Sequence, residues 1–97
     1  MNDEELRAAI DQLPAERVTK EGIESRIMST EYTRIGATAT ICSITLENGY
    51  SVRGESACVS PENFDDAIGK ELAFRDAFGK LWALEGYLLA ERRWARR

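Results

Sequence analysis

The sequence predicts a small α+β domain with short N-terminal helices, a β-hairpin and a long C-terminal helical arm. Residues 38–47 alternate in polarity with a period of two and are rich in β-branched side chains, which is typical of a strand. Asn48 and Gly49 follow as a turn, and residues 50–56 form the return strand. From residue 60 onwards, about thirty residues carry a dense apolar pattern with helical spacing.

The 97 residues are expected to form one domain. Within it, residues 1–36 contain the N-terminal helices and a connector, residues 37–57 the hairpin, and residues 60–95 the C-terminal helices. No apolar run is long enough to span a bilayer, and the acidic N-terminus does not resemble a signal peptide. We therefore expect a cytoplasmic protein with no membrane partner.

The composition excludes several kinds of chemistry. The chain has no histidine and only two cysteines, so it offers neither a histidine-based triad nor the ligands of a structural zinc site. No phosphate-binding loop or nucleophile elbow is present. We expect a protein that is not an enzyme and that needs no metal and no cofactor.

The charge is unevenly distributed. The formal net charge is −4, and the last six residues contribute four arginines, so the rest of the chain carries −4 − 4 = −8. A protein that binds duplex DNA without sequence preference needs a broad basic surface. We therefore expect no general DNA binding.

The first helix is predicted to begin after Asn2 or Asp3 and to end at Leu13, before Pro14. It carries a narrow apolar stripe of Leu6, Ile10 and Leu13. So thin a stripe predicts a peripheral helix, one that could dock on a neighbouring subunit.

A second, shorter helix is predicted over residues 20–28, capped by Thr19. Residues 29–36 are interpreted as a loop or extended connector.

Side-chain parity selects the turn of the hairpin. A three-residue loop, 47–49, pairs Leu46 with Tyr50 and collects the apolar side chains of both strands on one face. A two-residue turn would mix apolar with charged side chains on each face. We predict the three-residue loop, with Gly49 in the left-handed conformation that it requires. The apolar face is then Cys42, Ile44, Leu46, Tyr50 and Val52.

Ser60-Pro61-Glu62 is predicted to start the C-terminal helix, with a capping hydroxyl, a proline in the first turn and an acid after it. The apolar positions cover nearly all sides of this helix, which is more surface than a hairpin can bury. The excess predicts a homo-oligomer. A strip of small residues is the candidate interface, and the alternative is that the strip packs on the chain's own hairpin. The interface residues would be Gly69, Ala73, Ala77 and Phe78.

A second helical stretch, residues 81–94, follows, and Gly79 or Gly86 could kink the arm. Arg92 and Arg93 at its end either cap the helix or bind an anion.

The second half of the chain also resembles a known family. The matching elements are Asn48-Gly49, the segments 54–57 and 60–65, the small residues of the strip, and the segment 82–87. They are similar to those of small accessory proteins of tailed phages, a conserved family named after genes of a Shigella phage and a coliphage. The resemblance implies a phage or prophage origin and a non-structural role, in the cytoplasm of an infected bacterium. It brings no established activity.

The leading functional hypothesis is a counter-defence protein that sequesters a nucleotide-type signal, such as a cyclic nucleotide or a cyclic ADP-ribose, at subunit interfaces. The free N–H groups of a helix N-terminus, stacking aromatic rings and arginines suit such a ligand. The alternative is a protein-binding inhibitor of a host defence or DNA-processing complex. The candidate ligand-binding residues are Arg53, Ser60, Asn63, Phe64, Arg75, Trp82, Tyr87, Arg92 and Arg93.

Overall fold

The computed structural model describes residues 1–97. One sheet and one long helix form its body, and short helices precede them, which confirms the α+β class. The elements in chain order are α1 (Asp3–Asp11), α2 (Lys20–Ser25), β1 (Ile27–Ile35), β2 (Ala39–Leu46), β3 (Ser51–Ala57), a single 3-10 turn (Pro61–Asn63) and α3 (Asp66–Ala95).

The sheet is an antiparallel meander in the order β1-β2-β3. The expectation of a connector at residues 29–36 was wrong, because residues 29–35 belong to β1 and only Gly36 lies in the turn after it. Helix α2 ends at Ser25, before the predicted end at residue 28. Most of β1 is exposed. An edge strand whose side chains are mostly exposed lacks the clean apolar alternation by which a strand is recognised in sequence.

The hairpin between β2 and β3 has the predicted register. Thr45 pairs with Ser51, and the amide of Leu46 donates to the carbonyl of Tyr50 at 2.8 Å. Gly49 has φ = 88° and closes the loop through a bond from its amide to the Leu46 carbonyl. The apolar face is buried as expected, except that Tyr50 at its end is exposed.

The long helix begins later than predicted and does not kink. The hydroxyl of Ser60 makes no capping bond, and the 3-10 turn precedes the helix. Asp65 is the N-cap, because its carboxylate accepts the amide of Ile68 at 2.9 Å. From there α3 runs for 30 residues through Gly79 and Gly86 without a break.

The small strip of α3 packs on the chain's own sheet. Ala73 and Ala77 are fully buried, and a Cβ added to Gly54 of β3 would collide with the backbone of both residues. The same close approach recurs at Gly69, where a Cβ would lie 2.8 Å from Oγ1 of Thr40. Phe78 is buried beside them. The intramolecular alternative therefore holds, and these four residues are not available as a subunit interface.

Side chains of α3 also cover the outer edge of β3. Oδ2 of Asp76 accepts the amide of Glu55 at 2.9 Å, and Nζ of Lys80 donates to the carbonyl of Arg53. These backbone groups point away from β2 and would otherwise be free to pair with another strand. The opposite edge of the sheet, β1, has no such cover.

The chain is extended for its size. Its radius of gyration is 16.6 Å, compared with about 12–13 Å for a compact domain of this length. Helix α1 has no buried residue and projects from the body. No helix is long and apolar enough to cross a membrane.

Candidate functional site

A groove lies between α1 and the middle of α3. It encloses about 820 Å³, which lies within the range of small-molecule sites. Its floor on the α3 side is the indole of Trp82, which is 42% exposed. Phe78 holds the indole edge-on, with ring centroids 6.3 Å apart. The groove therefore presents an aromatic ring that is fixed by packing and accessible from outside.

The apolar stripe of α1 forms the opposite wall. Leu6 and Ile10 line the groove together with Val18 of the segment that follows α1. A capping box at Asn2 and Glu5 starts this helix, with the Glu5 amide 2.7 Å from Oδ1 of Asn2. The predicted thin stripe is therefore real, and no other element of the chain covers it.

Charged side chains of both signs surround the apolar walls. Three cations line the groove, and one of them, Arg17, is bound to Asp11 at 2.6 Å. The other two, Arg7 and Lys20, form no ion pair within the chain. The acidic lining residues are Asp3, Glu4, Asp11 and Glu21. Two cations are therefore free to meet an anionic group, among acids that limit how much negative charge a ligand can carry.

Two ion pairs tie the groove to the body. Arg96 at the end of α3 lies 2.9 Å from Glu16, in the segment between α1 and α2. Nε of Arg26 lies 3.0 Å from Oε1 of Glu85 on α3, and both side chains are largely buried. The second pair joins the end of α2 and the start of β1 to α3, so it fixes the segment that carries Lys20.

The nine predicted ligand residues do not meet in one chain. Trp82 alone lines the groove. Arg53 lies on β3, where it bonds the hydroxyl of Ser51, and Arg75 pairs with Glu71 at 3.0 Å. Tyr87 is 70% exposed on α3. Arg92 and Arg93 occupy the last turn of the helix, where their charge favours the C-terminal end of the dipole.

Ser60, Asn63 and Phe64 belong to the turn before α3. Asn63 and Phe64 line a small cleft of about 60 Å³, too small for a nucleotide. The guanidinium of Arg34 lies 3.7 Å from the centroid of the Phe64 ring and covers it.

The start of α3 is not a free anion site, contrary to the prediction. The carboxylate of Asp65 already occupies the amide of Ile68, and the Gly69 amide bonds the Asp65 carbonyl. Asp66 adds a second negative charge in the first turn. An anionic ligand that approached the remaining first-turn amides would be repelled by these two carboxylates.

The two side chains with raised pKa values, Cys42 and Tyr32, lie away from the groove, on the helix side of the sheet. Burial raises the pKa of the Cys42 thiol, and burial together with the neighbouring Cys42 and Glu71 raises the pKa of Tyr32. Both groups are therefore held in their neutral forms, which makes a buried thiol such as Cys42 a poor nucleophile. No cluster of three or more metal-ligating side chains is present.

Comparison with known families decides the affiliation. The sequence profile of the phage protein (N4 Gp49/phage Sf6 gene 66) family matches residues 18–93. The chain belongs to this phage protein family. The match covers α2, the whole sheet and nearly all of α3, and confirms the resemblance found in the sequence. No curated protein and no solved structure matches the chain.

The residues matched by the family profile include only part of the groove lining. Trp82, Val18 and Lys20 lie within the matched residues, whereas all of α1 lies outside them. Sequence reasoning had not identified Arg7 and Lys20 as groove residues. The amphipathic pattern of α1 was the available signal, because its apolar stripe includes Leu6, the neighbour of Arg7 in sequence.

Proposed function

We propose that this phage protein is a non-catalytic counter-defence protein that binds and sequesters a nucleotide-type immune signal, a cyclic nucleotide or a cyclic ADP-ribose-like molecule. The groove at Trp82 carries the proposal. Its volume suits a nucleotide, its indole can stack on a base, and Arg7 and Lys20 are free to pair with phosphate. The acidic lining favours a compact ligand with few charges over a linear polyphosphate.

The ligand would be held in the cytoplasm of the infected host, where such signals act. Sequestration needs affinity and abundance but no chemical step. In the groove, α3 supplies the indole of Trp82 as one wall, and α1 with the segment that follows it supplies the other.

A fluorescence titration tests the proposal. The variant Trp94→Phe leaves Trp82 as the one tryptophan, so a base that stacks on it quenches the emission. Cyclic dinucleotides, cyclic trinucleotides and cyclic ADP-ribose isomers are titrated in turn, and the melting temperature is followed in parallel. At least one of them should quench Trp82 and raise the melting temperature by several degrees at saturation.

Matched variants localise the binding. Lys20→Ala and Arg7→Ala should each weaken it by about tenfold, because each removes one charge-assisted contact. Lys70→Ala, which removes a lysine that is paired with Asp66 outside the groove, should leave it unchanged. If no nucleotide of the panel quenches Trp82 or shifts the melting temperature, the proposal fails.

The uncovered stripe of α1 favours a second candidate, a protein-binding inhibitor of a host defence or DNA-processing complex. Leu6, Ile10 and Leu13 are exposed beside several acids of the same helix. An amphipathic helix with one apolar face suits docking into a groove of another protein.

Affinity capture from host lysate separates this candidate from the first. A stoichiometric partner should be retained by the wild type and lost with Leu6→Glu. The control Ala8→Glu places the same charge on the opposite face of α1 and should retain the partner. Capture that is equal for both variants would exclude the α1 stripe as the binding surface.

A further inference from the structure

Helix α1 is connected to the body through the side chain of Arg17. None of the residues of α1 is buried, so core packing does not fix its position. Every hydrogen bond and ion pair that joins α1 to a residue beyond Leu13 comes from Arg17. Its Nη2 lies 2.6 Å from Oδ1 of Asp11, and its Nε donates to the carbonyl of Ile10 at 3.4 Å. The orientation of α1 therefore depends on Arg17.

The end of α1 gives a physical reason for these contacts. The last turn of the helix contains no basic residue. Carbonyl groups at a helix C-terminus carry partial negative charge, and a nearby cation stabilises them. Arg17 supplies this cation from the far side of Pro14, and its guanidinium donors bind a carbonyl and a carboxylate together.

The neighbours of Arg17 in sequence are anchored to the body. Val18 packs against the apolar core. Oε1 of Glu16 accepts a bond from Arg96, the C-cap of α3, at 2.9 Å. Arg17 therefore extends from a segment that is held by the core and by α3 to a helix that has no other polar link to that segment.

The two cations of the groove that form no ion pair lie on either side of this connection. Arg7 belongs to α1, whereas Lys20 is the first residue of α2. The distance between these two cations is set by the angle at which Arg17 holds α1. A ligand with two phosphate groups can pair with both cations at once only if its own phosphates have a matching separation.

We infer that Arg17 is a positioning residue, which holds α1 so that Arg7 and Lys20 can bind the two phosphate groups of one nucleotide. The inference rests on the function proposed above and narrows its ligand class to nucleotides with two phosphates. Arg17 acts through α1 and not on the ligand, because Asp11 already occupies its guanidinium. Both members of this pair are partly exposed, so the pair should control the position of α1 and contribute little to global stability.

Pulsed electron paramagnetic resonance on the ligand-free protein tests the position of α1. Spin labels are attached at Ala8→Cys on α1 and at Glu91→Cys on α3. The background carries Cys58→Ser, and the remaining native thiol, Cys42, is fully buried. Arg17→Ala should increase the population at distances other than the main one by about fivefold. The urea midpoint should stay near that of the wild type, whereas a merely structural role of Arg17 would lower it.

Two further variants make this measurement specific. Arg75→Ala breaks another exposed arginine–glutamate pair, on α3, and should leave the label distances unchanged. The double variant Arg17→Asp with Asp11→Arg exchanges the two charges and should restore most of the wild-type distribution. If Arg17→Ala gives the same distance distribution as the wild type, the inference is overturned.

Titrations with two cyclic nucleotides test the ligand class. Cyclic diadenylate and cyclic AMP carry the same base, but the first has two phosphates and the second has one. Arg17→Ala should weaken the binding of cyclic diadenylate by about threefold to fivefold, because fewer molecules hold both cations at the required separation. The binding of cyclic AMP should not change, and an equal loss for both ligands would overturn the two-phosphate class. If neither ligand and no cyclic ADP-ribose isomer binds the wild type, the proposed function and the two-phosphate class fail together, whereas the label distances still decide the role of Arg17.

Discussion

Arg26 and Glu85 form a largely buried ion pair, with Nε of Arg26 3.0 Å from Oε1 of Glu85. Glu85 is 8% exposed and lies on α3, three turns before its end, whereas Arg26 lies between α2 and β1. The carbonyl of Arg26 also accepts the amide of Glu47 at 2.9 Å. One residue thus connects the start of the sheet, the hairpin loop and the long helix.

Replacing one partner of this pair should be strongly destabilising. Glu85→Ala leaves the largely buried Arg26 guanidinium with only the exposed carboxylate of Glu47, 3.7 Å from its Nη1, and should lower the free energy of unfolding by about 3 kcal/mol. Urea denaturation measures the change. The control Glu91→Ala removes an exposed glutamate from the same helix and should change stability by less than about 0.5 kcal/mol. If both variants changed the free energy of unfolding equally, the buried pair would stabilise the fold no more than an exposed glutamate does.

Gly54→Ala adds only one methyl group but should strongly lower the free energy of unfolding. The added Cβ would lie about 2.5 Å from the Ala73 carbonyl oxygen and closer still to the backbone of Ala77, so α3 would have to move away from β3. We expect a loss of about 3 kcal/mol or more, since overpacking against backbone cannot be relieved by a rotamer change.

Arg53→Ala is the matched control for that substitution. It places an alanine at the adjacent position of β3, on the opposite face of the sheet, where Arg53 bonds only the Ser51 hydroxyl through its side chain. The midpoint of thermal unfolding should be nearly that of the wild type. If Gly54→Ala were equally mild, helix and strand would not be in the close contact described.

The side chains that cover the β3 edge should control the protection of a single amide. Asp76→Ala removes the acceptor of the Glu55 amide, so this amide should exchange with solvent at least about tenfold faster. Asp76→Asn keeps an acceptor oxygen and should restore most of the protection. Exchange monitored by NMR at Glu55, with Gly54 as the internal reference, distinguishes the loss of this bond from general unfolding.

Sequence reasoning was accurate where local chemistry decides structure. The register of Leu46 and Tyr50 followed from side-chain parity and from the need for Gly49 in the loop, and neither depends on distant residues. It failed at residues 29–36, because an edge strand such as β1 is paired by β2 along its backbone while its side chains stay exposed.

The start of the long helix and the role of its small strip required tertiary information. Ser60-Pro61 and Asp65 are both good capping sequences, and the path of the chain out of β3 decides that Asp65 is used. Gly69, Ala73 and Ala77 suit close helix packing in any partner. The partner is β3, because Gly54 has no side chain and lets the backbone of α3 approach closely. The sequence of α3 alone contains no information about this contact.

The buried thiol of Cys42 should make stability fall at alkaline pH. Burial raises the pKa of this thiol above its ordinary value of 9.0, and also raises the pKa of the neighbouring Tyr32. The folded state therefore retains protons that the unfolded state releases. The stabilisation is complete below about pH 8 and is lost as the pH rises through the raised pKa values.

Urea denaturation from pH 7 to pH 10.5 measures this loss. The urea midpoint should fall less steeply with pH in Tyr32→Phe than in the wild type. The control Tyr87→Phe alters an exposed ring and should follow the wild type. Parallel curves for all three proteins would show that the Tyr32 and Cys42 pair does not govern the alkaline limit.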